Sequence, residues 1–388
     1  MLAATACGPP ADSRRVTVRD SAGTEIVESD APAWTGETRW QLAAAPFLSI
    51  GAAEGDSAFL FHGIVGVARQ SDGRIAVADY GSMQIRYFEP EGRFISRVGR
   101  EGDGPGEFRL MSLFWRLAGD TLVVSHSRGL ALFDPGGGFV RPVPLESTAT
   151  GFTPQPVGQL DDGTIIGLNG TRAFSPADAG ALIHNTLELH AYRPDGSYRL
   201  LIDTLSAAPL WVVSGTTSIR RAPLHSFTPP RAAGAHVYAA NRGEPEIRMW
   251  RADGTLARVI RWTPVSRTLT NDHRALYRTH LLETTADPNA RRRHERFLSE
   301  VPMPDRLPAY GDTPFVIDDA GHLWVEAYRP PWEDDPEWLV FSPAGAWLGS
   351  VRLPAGFTLH QAGPDFVLGV ARDELGVEYV RQYRLVKP

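Results

Sequence analysis

Short runs in which apolar and polar residues alternate recur along most of this chain, with glycine-containing turns between them. Such alternation predicts β-strands that bury one face, and Asp-Gly or Pro-x-Gly turns predict antiparallel pairing of consecutive strands. In the first such group the predicted strands are 63–70, 74–79, 84–88 and 93–98. The pattern therefore predicts a four-stranded antiparallel meander.

One turn sequence returns along the chain: an aromatic residue, then Pro or Ala two positions later, then Gly two positions after that. The copies are 88–92, 133–137, 192–196, 250–254 and 341–345, and a sixth copy ends at Tyr383 without its turn. The second strands that precede these turns align as 74–79, 121–126, 164–169, 236–241, 322–327 and 366–371. A repeated antiparallel unit of this size is typical of a propeller blade, so the chain is predicted to be an all-β, six-bladed β-propeller.

The two ends of the repeat region predict how the ring closes. The last predicted blade, 356–386, has three strands and lacks an outer one. Residues 47–56 repeat the sequence pattern of 95–103, which is the outer strand of the first blade and its exit. An N-terminal strand from residues 40–51 is therefore predicted to complete the last blade, which removes an open sheet edge.

Two segments do not follow the blade pattern. Residues 14–28 predict a separate hairpin in an N-terminal lead-in, 13–39, and the propeller then occupies 40–388. Within it, residues 266–300 predict a two-helix insertion between the fourth and fifth blades. The first helix has Thr270 or Asn271 as N-cap and ends near Glu283, and the second runs from Asp287-Pro288 to Glu300.

The composition of the chain argues against several classes of protein. The net charge of −6 argues against a nucleic-acid partner, which needs a basic stripe. No run reaches about eighteen apolar residues, so no transmembrane helix is predicted. With one cysteine, the chain forms no internal disulfide.

That cysteine, Cys7, follows the small residues of Leu2-Ala3-Ala4-Thr5-Ala6. The segment resembles a bacterial lipobox, in which the cysteine is lipidated and becomes the mature N-terminus. Residues 1–12 are then a lipobox-like segment and tether. The chain is expected in the bacterial cell envelope, periplasmic or surface-facing, and attached to a membrane only through this lipid anchor. A cytoplasmic scaffold is the alternative if Cys7 is not lipidated.

The stretch 99–108, Gly-Arg-Glu-Gly-Asp-Gly-Pro-Gly-Glu-Phe, together with Val77-Ala78-Asp79 and the aromatic-x-Pro-x-Gly turn, resembles the NHL-repeat propellers. Over 40–388 the chain is similar to bacterial six-bladed propeller lipoproteins, with a leading strand at Trp40, a helical insert after the fourth blade and a terminal strand. This resemblance implies the fold. It leaves the activity open, because NHL-type propellers include lyases, scaffolds, sensors and RNA-binding modules.

Four long excursions from the blade pattern fall at equivalent places. They join a second strand to a third strand, or one blade to the next, and these connections share one face of a propeller, called the loop face below. The excursions are 170–186, 206–224, 263–313 and 328–337. Because loops on a rigid scaffold carry function, the loop face is the predicted binding surface for an unidentified protein, peptide or glycan. Drift in a fold that tolerates insertions is the alternative.

Polar residues gather where the second strands end at the loop face. Four strands end with Asp79, His126, Asn169 and Asn241, and an arginine follows in five blades: Arg128, Arg172, Arg242, Arg329 and Arg372. An arginine fork matches carboxylates and phosphates, so these side chains predict an anionic ligand. Pairing with acids of neighbouring loops is the alternative. Trp332 and Trp338 share one loop, and an exposed Trp there would stack on a ligand. Packing of these tryptophans against the neighbouring blade is the alternative.

Motifs of common enzyme classes are absent from the sequence, including a nucleophile elbow, a zinc-protease helix, a Walker loop and a dinucleotide fingerprint. The catalytic residues are therefore unassigned and no cofactor is predicted. A mixed ring of Asp79, His126, Asn169 and Asn241 could bind Ca²⁺ or Zn²⁺, much as the gluconolactonase-type propellers use Glu, Asn and Asp. Hydrogen bonding between blades explains the same residues.

Two functions follow from these observations. The leading prediction is a binding or interaction module of the cell envelope, with its ligand or partner on the loop face. The alternative is a metal-dependent hydrolase or lyase, lactonase-like, with its site at the mouth of the channel.

Overall fold

The computed structural model describes residues 16–126, 129–149, 151–170, 178–213, 219–241, 243–264, 266–333 and 336–388. The N-terminal strands are β1 (Val16–Ser21), β2 (Thr24–Ser29), β3 (Gln41–Leu42) and β4 (Leu48–Ile50). The first antiparallel meander is β5 (Ile64–Arg69), β6 (Ile75–Asp79), β7 (Gln84–Phe88) and β8 (Phe94–Val98). The second is β9 (Leu113–Arg116), β10 (Leu122–His126), β11 (Gly129–Phe133) and β12 (Phe139–Pro144).

The third meander is β13 (Gln155–Gln159) and β14 (Ile165–Gly170), then, after the short β15 (Leu182–Ile183), β16 (Thr186–Tyr192) and β17 (Tyr198–Ser206). Two short strands, β18 (Leu210–Val212) and β19 (Ile219–Arg221), precede the fourth: β20 (Arg231–Ala233), β21 (His236–Asn241), β22 (Glu244–Trp250) and β23 (Leu256–Trp262). Helices α1 (Asn271–Glu283) and α2 (Pro288–Glu300) come next. The last two meanders are β24 (Val316–Ile317), β25 (Leu323–Glu326), β26 (Glu337–Phe341) and β27 (Trp347–Arg352), then β28 (Phe357–Ala362), β29 (Phe366–Arg372) and β30 (Glu378–Val386).

The repeated turn sequence has a structural reason. In each copy the aromatic residue follows a register shift at the end of the third strand, and its side chain is buried. The glycine that closes the turn has a φ between 83° and 91°, a left-handed conformation that favours glycine. These aromatic residues are Phe88, Phe133, Tyr192, Trp250 and Phe341. The motif therefore places one large buried side chain at the same point of each meander.

The hydrophobic core lies between meanders. Each of its large clusters combines side chains of two meanders that are consecutive along the chain. One further cluster joins the last meander to the first and includes Phe88, Leu368 and Val380. The meanders are therefore arranged in a closed ring, which is the architecture of a β-propeller.

The predicted ring closure by an N-terminal strand is confirmed. β4 pairs antiparallel with β30, with Ile50 opposite Val380, and β3 pairs with the end of the same strand. Leu48 and Ile50 are buried in the cluster that joins the first and last meanders. The closing strand thus contributes core side chains as well as hydrogen bonds.

The fold class predicted from the sequence is confirmed, and the count of six blades stays a prediction. Four of the meanders form sheets of their own. The third and fourth are joined through one parallel bridge, Gly158 to Ala232, into a ten-stranded sheet that also contains β1 and β2. β2 pairs in parallel with β23, the outer strand of the fourth meander. The N-terminal hairpin therefore extends the sheet of that meander and does not stand apart from the propeller.

The two predicted helices are confirmed with their caps. Thr270 Oγ1 accepts a hydrogen bond from the His273 amide, and the Asp287 carboxylate accepts from the amides of Asn289 and Ala290. These bonds satisfy amides that have no partner inside the helix.

The helices and the short strands together form one unit on the loop face, which we call the cap: β15, β18, β19, α1 and α2. The three short strands make one small sheet. Trp211 and Val213 from this sheet region pack against Phe297 and Val301 of the second helix. On the first helix, the ring of His273 stacks on Trp332 with 6.1 Å between centroids. The long excursions of the sequence thus contact one another over the same end of the ring.

Candidate ligand-binding channel

A cavity of about 240 Å³ runs along the centre of the ring. The inner strands of all the described meanders line it, because the first strand of each lies closest to the axis. The lining includes Val65 and Val67, Leu113 to Arg116, Gln159, Arg231 to Ala233, Val316 and Ile317, and Thr358 to Gln361. A space of this size holds several water molecules or a small organic ligand.

Arg231 is the cation in this channel that has no acidic partner among the described residues. Its strand, β20, has three residues and follows Pro229-Pro230. Desolvation lowers the pKa of the Arg231 guanidinium, and no neighbouring carboxylate opposes the shift. Arg231 is half-buried, so its charge keeps part of its contact with water, and the partial desolvation lowers stability unless a counter-ion is bound.

His360 lies beside Arg231 in the channel. Burial and, to a lesser extent, the charge of Arg231 lower the pKa of His360 to about 4, while Glu378 opposes the shift. The imidazole is therefore neutral at pH 7 and presents one N–H donor and one acceptor nitrogen. Within the described part of the chain, neither ring nitrogen of His360 has a hydrogen-bond partner.

The other arginine that lines the channel is neutralised. Arg116 lies toward the face opposite the loop face, where its Nη1 is 2.9 Å from Asp120 Oδ1 and its Nη2 is 3.3 Å from Asp319 Oδ1. Asp120 also accepts hydrogen bonds from the amide and the hydroxyl of Ser71. These contacts tie together the turns at that end of the ring.

A groove of about 370 Å³ lies next to the channel on the loop face. The groove and the channel share Thr313 and Thr358 as lining residues, so the two spaces adjoin there, while turn residues such as Ala118 and Gly234 line the channel at the opposite face. Tyr328 and Arg329 lie on one side of the groove, and Arg372 lies on the other. The groove thus lies between the loop face and the channel.

The cap lies next to this groove. Asp312, which lines the groove, forms an ion pair with Arg221 of β19 and accepts a hydrogen bond from the Phe227 amide at 2.7 Å. Thr228 Oγ1 donates to the Gly311 carbonyl at 2.7 Å. These contacts attach the cap to the groove wall, so the cap covers one side of the entrance.

Asp79, which the sequence predicted as a site residue, forms a buried ion pair that stabilises the fold. It is fully buried, and its carboxylate accepts hydrogen bonds from the His62 amide at 2.8 Å and Ser82 Oγ at 2.6 Å. Arg86 Nη2 lies 3.0 Å from Asp79 Oδ2, and the same guanidinium donates to the Leu60 carbonyl. The pair holds the loop before β5 against the first meander.

His126 and Asn169 lie at the predicted strand ends but outside the channel lining. His126 borders a separate groove with Gly102 to Glu107, and its ring meets Phe108 edge-on at 6.1 Å. Asn169 is opposite Glu188 in the pairing of β14 with β16. The strand ends of different meanders therefore do not converge on the axis in this part of the chain.

The predicted arginines that the structure describes line the groove, whereas the predicted tryptophans pack against other parts of the protein. Arg329 and Arg372 both line the groove, and Arg372 Nη2 lies 2.6 Å from Glu378 Oε1. Trp332 contacts the cap through His273. Trp338 is 1% exposed, lies within β26 and borders the groove. Its side chain fills the core between the last two meanders.

Several predicted residues lie outside what the structure describes. Arg128, Arg172, Arg242 and Cys7 belong to undescribed segments, and Asn241 is described in its backbone only, as the last residue of β21. The arginine ring and the lipid anchor accordingly stay predictions.

The described residues contain no group of three or more His, Cys, Asp or Glu side chains that could hold a metal ion. The metal-dependent alternative draws no support from them and stays a prediction. In the same part of the chain, no helix is long and apolar enough to cross a membrane.

Arg231 and His360 were not predicted from the sequence. The repeated motif that aligns the blades lies on the second strands, whereas the inner strands line the channel. A signal for His360 exists, since it is a polar residue beside the buried Leu359 in a predicted inner strand. Arg231 has a weaker signal, because three residues after two prolines show almost no alternation.

The comparisons with known proteins agree with the propeller fold. A family model described as a 6-bladed beta-propeller (DUF5128) matches residues 54–116. No curated protein matches the chain. The structure is similar to that of a DUF4221 family member from Bacteroides vulgatus, with a TM-score of 0.53 and 9% identity over 90% of this chain and 99% of the other. This likeness shows the fold.

Two further structures have lower scores. A proposed exported protein from Bacteroides fragilis has a TM-score of 0.49 and 11% identity over 94% of this chain and 99% of that one. A gluconolactonase from Xanthomonas campestris has a TM-score of 0.42 and 14% identity over 89% of this chain and 100% of that one. The structural neighbours thus include lactonase-like enzymes as well as exported proteins, and no particular activity follows from them.

Proposed function

We propose that this chain is a ligand-binding propeller, in which a ligand enters through the groove on the loop face and reaches the central channel. The observation that carries the proposal is the shared lining of groove and channel at Thr313 and Thr358, which places the two spaces side by side. A rigid ring surrounds the channel, and the cap borders the groove. Binding sites in proteins are typically concave, preformed and lined by mixed polar and apolar groups, as this one is.

We place this binding function in the cell envelope, with the protein anchored through lipidated Cys7. The support is the lipobox-like sequence before Cys7, which lies outside the described residues. In this arrangement the tether at residues 8–12 would leave the propeller free to meet a small molecule or the end of a peptide or glycan.

A substitution that blocks the junction tests the proposal. Thr358 is exposed and belongs to both spaces, so Thr358→Trp would fill the junction without disturbing a buried contact. Thermal denaturation of wild type is measured against a panel of monosaccharides, sugar acids, phosphorylated sugars, short glycans and peptides. We expect at least one compound to raise the Tm of wild type but not that of Thr358→Trp.

Glu91→Trp is the matched control, because Glu91 is an exposed turn residue on the opposite face. It is expected to respond to compounds as wild type does. A compound that stabilises Thr358→Trp as much as wild type binds elsewhere, and if every active compound behaves in this way the proposal is wrong.

A further inference from the structure

The charges of this protein show which arginines serve the fold. The buried Arg86 is paired with Asp79, Arg116 with Asp120 and Asp319, and Arg372 with Glu378. Arg86 and Arg116 also link separate segments of the ring, through the Leu60 carbonyl and Asp319. Arg231 differs, since no described carboxylate lies within ion-pair distance of it and none of its nitrogens donates a hydrogen bond to a described residue.

The position of Arg231 adds to this difference. It lies in an inner strand and lines the cavity at the centre of the ring. A guanidinium group is a rigid fork of N–H donors that matches the two oxygens of a carboxylate or phosphate. In a space where water is restricted, such a fork binds an anion more strongly than it would at the surface.

His360 gives the site a second recognition group. It lines the same cavity, and the charge of Arg231 reaches it. A neutral imidazole offers one donor and one acceptor, which suits a hydroxyl group because a hydroxyl both donates and accepts. A ligand that fits both side chains carries an anionic group and a hydroxyl on the same small molecule.

We propose that the channel binds a small hydroxylated anion, with its carboxylate or phosphate held by the Arg231 fork and a hydroxyl group hydrogen-bonded to His360. This inference rests on the proposed function, since it names the class of ligand that would occupy the channel. The cavity of about 240 Å³ limits the bound portion to a small molecule. Two carboxylates also line the cavity, Asp161 and Asp319. Asp319 is paired with Arg116, and neither carboxylate lies within ion-pair distance of Arg231.

Three probes with the same carbon skeleton test this inference: glycerate, glycerol 3-phosphate and glycerol. Isothermal titration calorimetry on the full chain at pH 7 compares wild type with Arg231→Gln, Arg231→Lys and Arg97→Gln. We expect at least one of the two anions to bind wild type, and glycerol not to bind. The better anion identifies the carboxylate or the phosphate as the preferred group.

Loss of the fork is expected to raise the Kd of that anion at least about tenfold in Arg231→Gln, since a hydrogen bond to a charged group contributes roughly 1.5–3 kcal/mol. Arg231→Lys keeps the charge without the fork and is expected to lie between Arg231→Gln and wild type. Arg97 is exposed on an outer strand, so Arg97→Gln matches the loss of charge outside the channel and is expected to bind as wild type does.

Circular dichroism and the Tm establish that each variant is folded. Equal Kd values for Arg231→Gln and wild type would overturn the inference, as would the failure of both anions to bind wild type. Binding of glycerol as tightly as of the anions would also overturn it, while leaving the proposed ligand-binding function in place. Failure of the proposed function itself is recognised by a separate result: every active compound stabilises Thr358→Trp as much as wild type.

Discussion

Several buried charged residues of this ring are compensated by oppositely charged side chains and by backbone groups. Asp79 and Arg86 are both almost completely buried, and each is compensated by the other and by backbone groups. Glu378 is compensated in the same way: burial raises its pKa, but hydrogen bonds from the Ile64 amide, Arg372 and the Gly63 amide keep the pKa below its ordinary value. Arg231 and His360 have no such compensation within the described residues, and both line the channel.

The environment of His360 predicts a pH dependence of stability. Burial lowers its pKa from an ordinary 6.5 to about 4, so the unfolded chain binds a proton at a higher pH than the folded chain does. Stability is therefore complete above about pH 6.5 and is lost as the pH falls through about 4. In His360→Gln the loss of unfolding free energy between these pH values is expected to be about 2 kcal/mol smaller than in wild type, allowing for partial solvent contact.

Urea denaturation at a series of pH values measures this difference. His62→Gln is the control, because His62 is an exposed histidine on the loop before β5. Other histidines with lowered pKa values, among them His190 and His225, affect wild type and both variants alike. If His360→Gln loses as much stability as wild type over the same range, the pKa of His360 is not lowered as described.

At the scale of elements, most strands were predictable from the local alternation of apolar and polar residues. The closing strand was predictable from a repeated sequence. Alternation and the aromatic-x-Pro-x-Gly turn predicted β6, β7 and β8 to within one residue. The closing strand has three residues and little pattern of its own. It was predictable because residues 47–56 repeat the sequence pattern of 95–103, which contains the outer strand of the first meander.

The closing strand also provides a test of the ring. Ile50 is 1% exposed in the cluster between the first and last meanders, whereas the neighbouring Ser49 is exposed on the same strand. Ile50→Ala is expected to lower the free energy of unfolding by about 2–4 kcal/mol through the lost burial and the cavity it leaves. Ser49→Ala is expected to change it by less than about 0.5 kcal/mol.

Urea denaturation of the two variants beside wild type makes the comparison. Because they lie next to each other on β4, they differ in burial and share the same backbone pairing with β30. If Ile50→Ala has the stability of Ser49→Ala, the strand does not close the ring.

The site was less predictable than the elements, for a physical reason. Sequence repetition identifies residues that every blade needs, and Asp79 at a strand end is an example, since its carboxylate holds a loop in place. A ligand site at the centre of a ring is built from one residue of one blade and one of another, here Arg231 and His360, so repetition does not mark it. Their meeting in space depends on the radial arrangement of meanders that lie more than a hundred residues apart in the chain.

At the scale of the whole molecule, a closed ring makes it possible to hold an uncompensated charge. Arg231 is half-buried and has no ion-pair partner among the described residues, so the partial desolvation of its charge lowers the stability of the whole fold. If Arg231 is retained for a ligand, the protein without ligand carries this cost. An apolar side chain of similar length at this position would remove it.

The free energy of unfolding of Arg231→Met, measured without ligand, tests this account most directly. We expect it to exceed that of wild type by about 1 kcal/mol, because the methionine keeps the aliphatic contacts and removes the unpaired charge. Arg86→Met is the contrasting variant and is expected to lose about 3 kcal/mol, because it leaves Asp79 buried without its partner. A loss of stability in Arg231→Met similar to that in Arg86→Met would show that Arg231 serves the fold, and it would contradict the assignment of the channel to an anionic ligand.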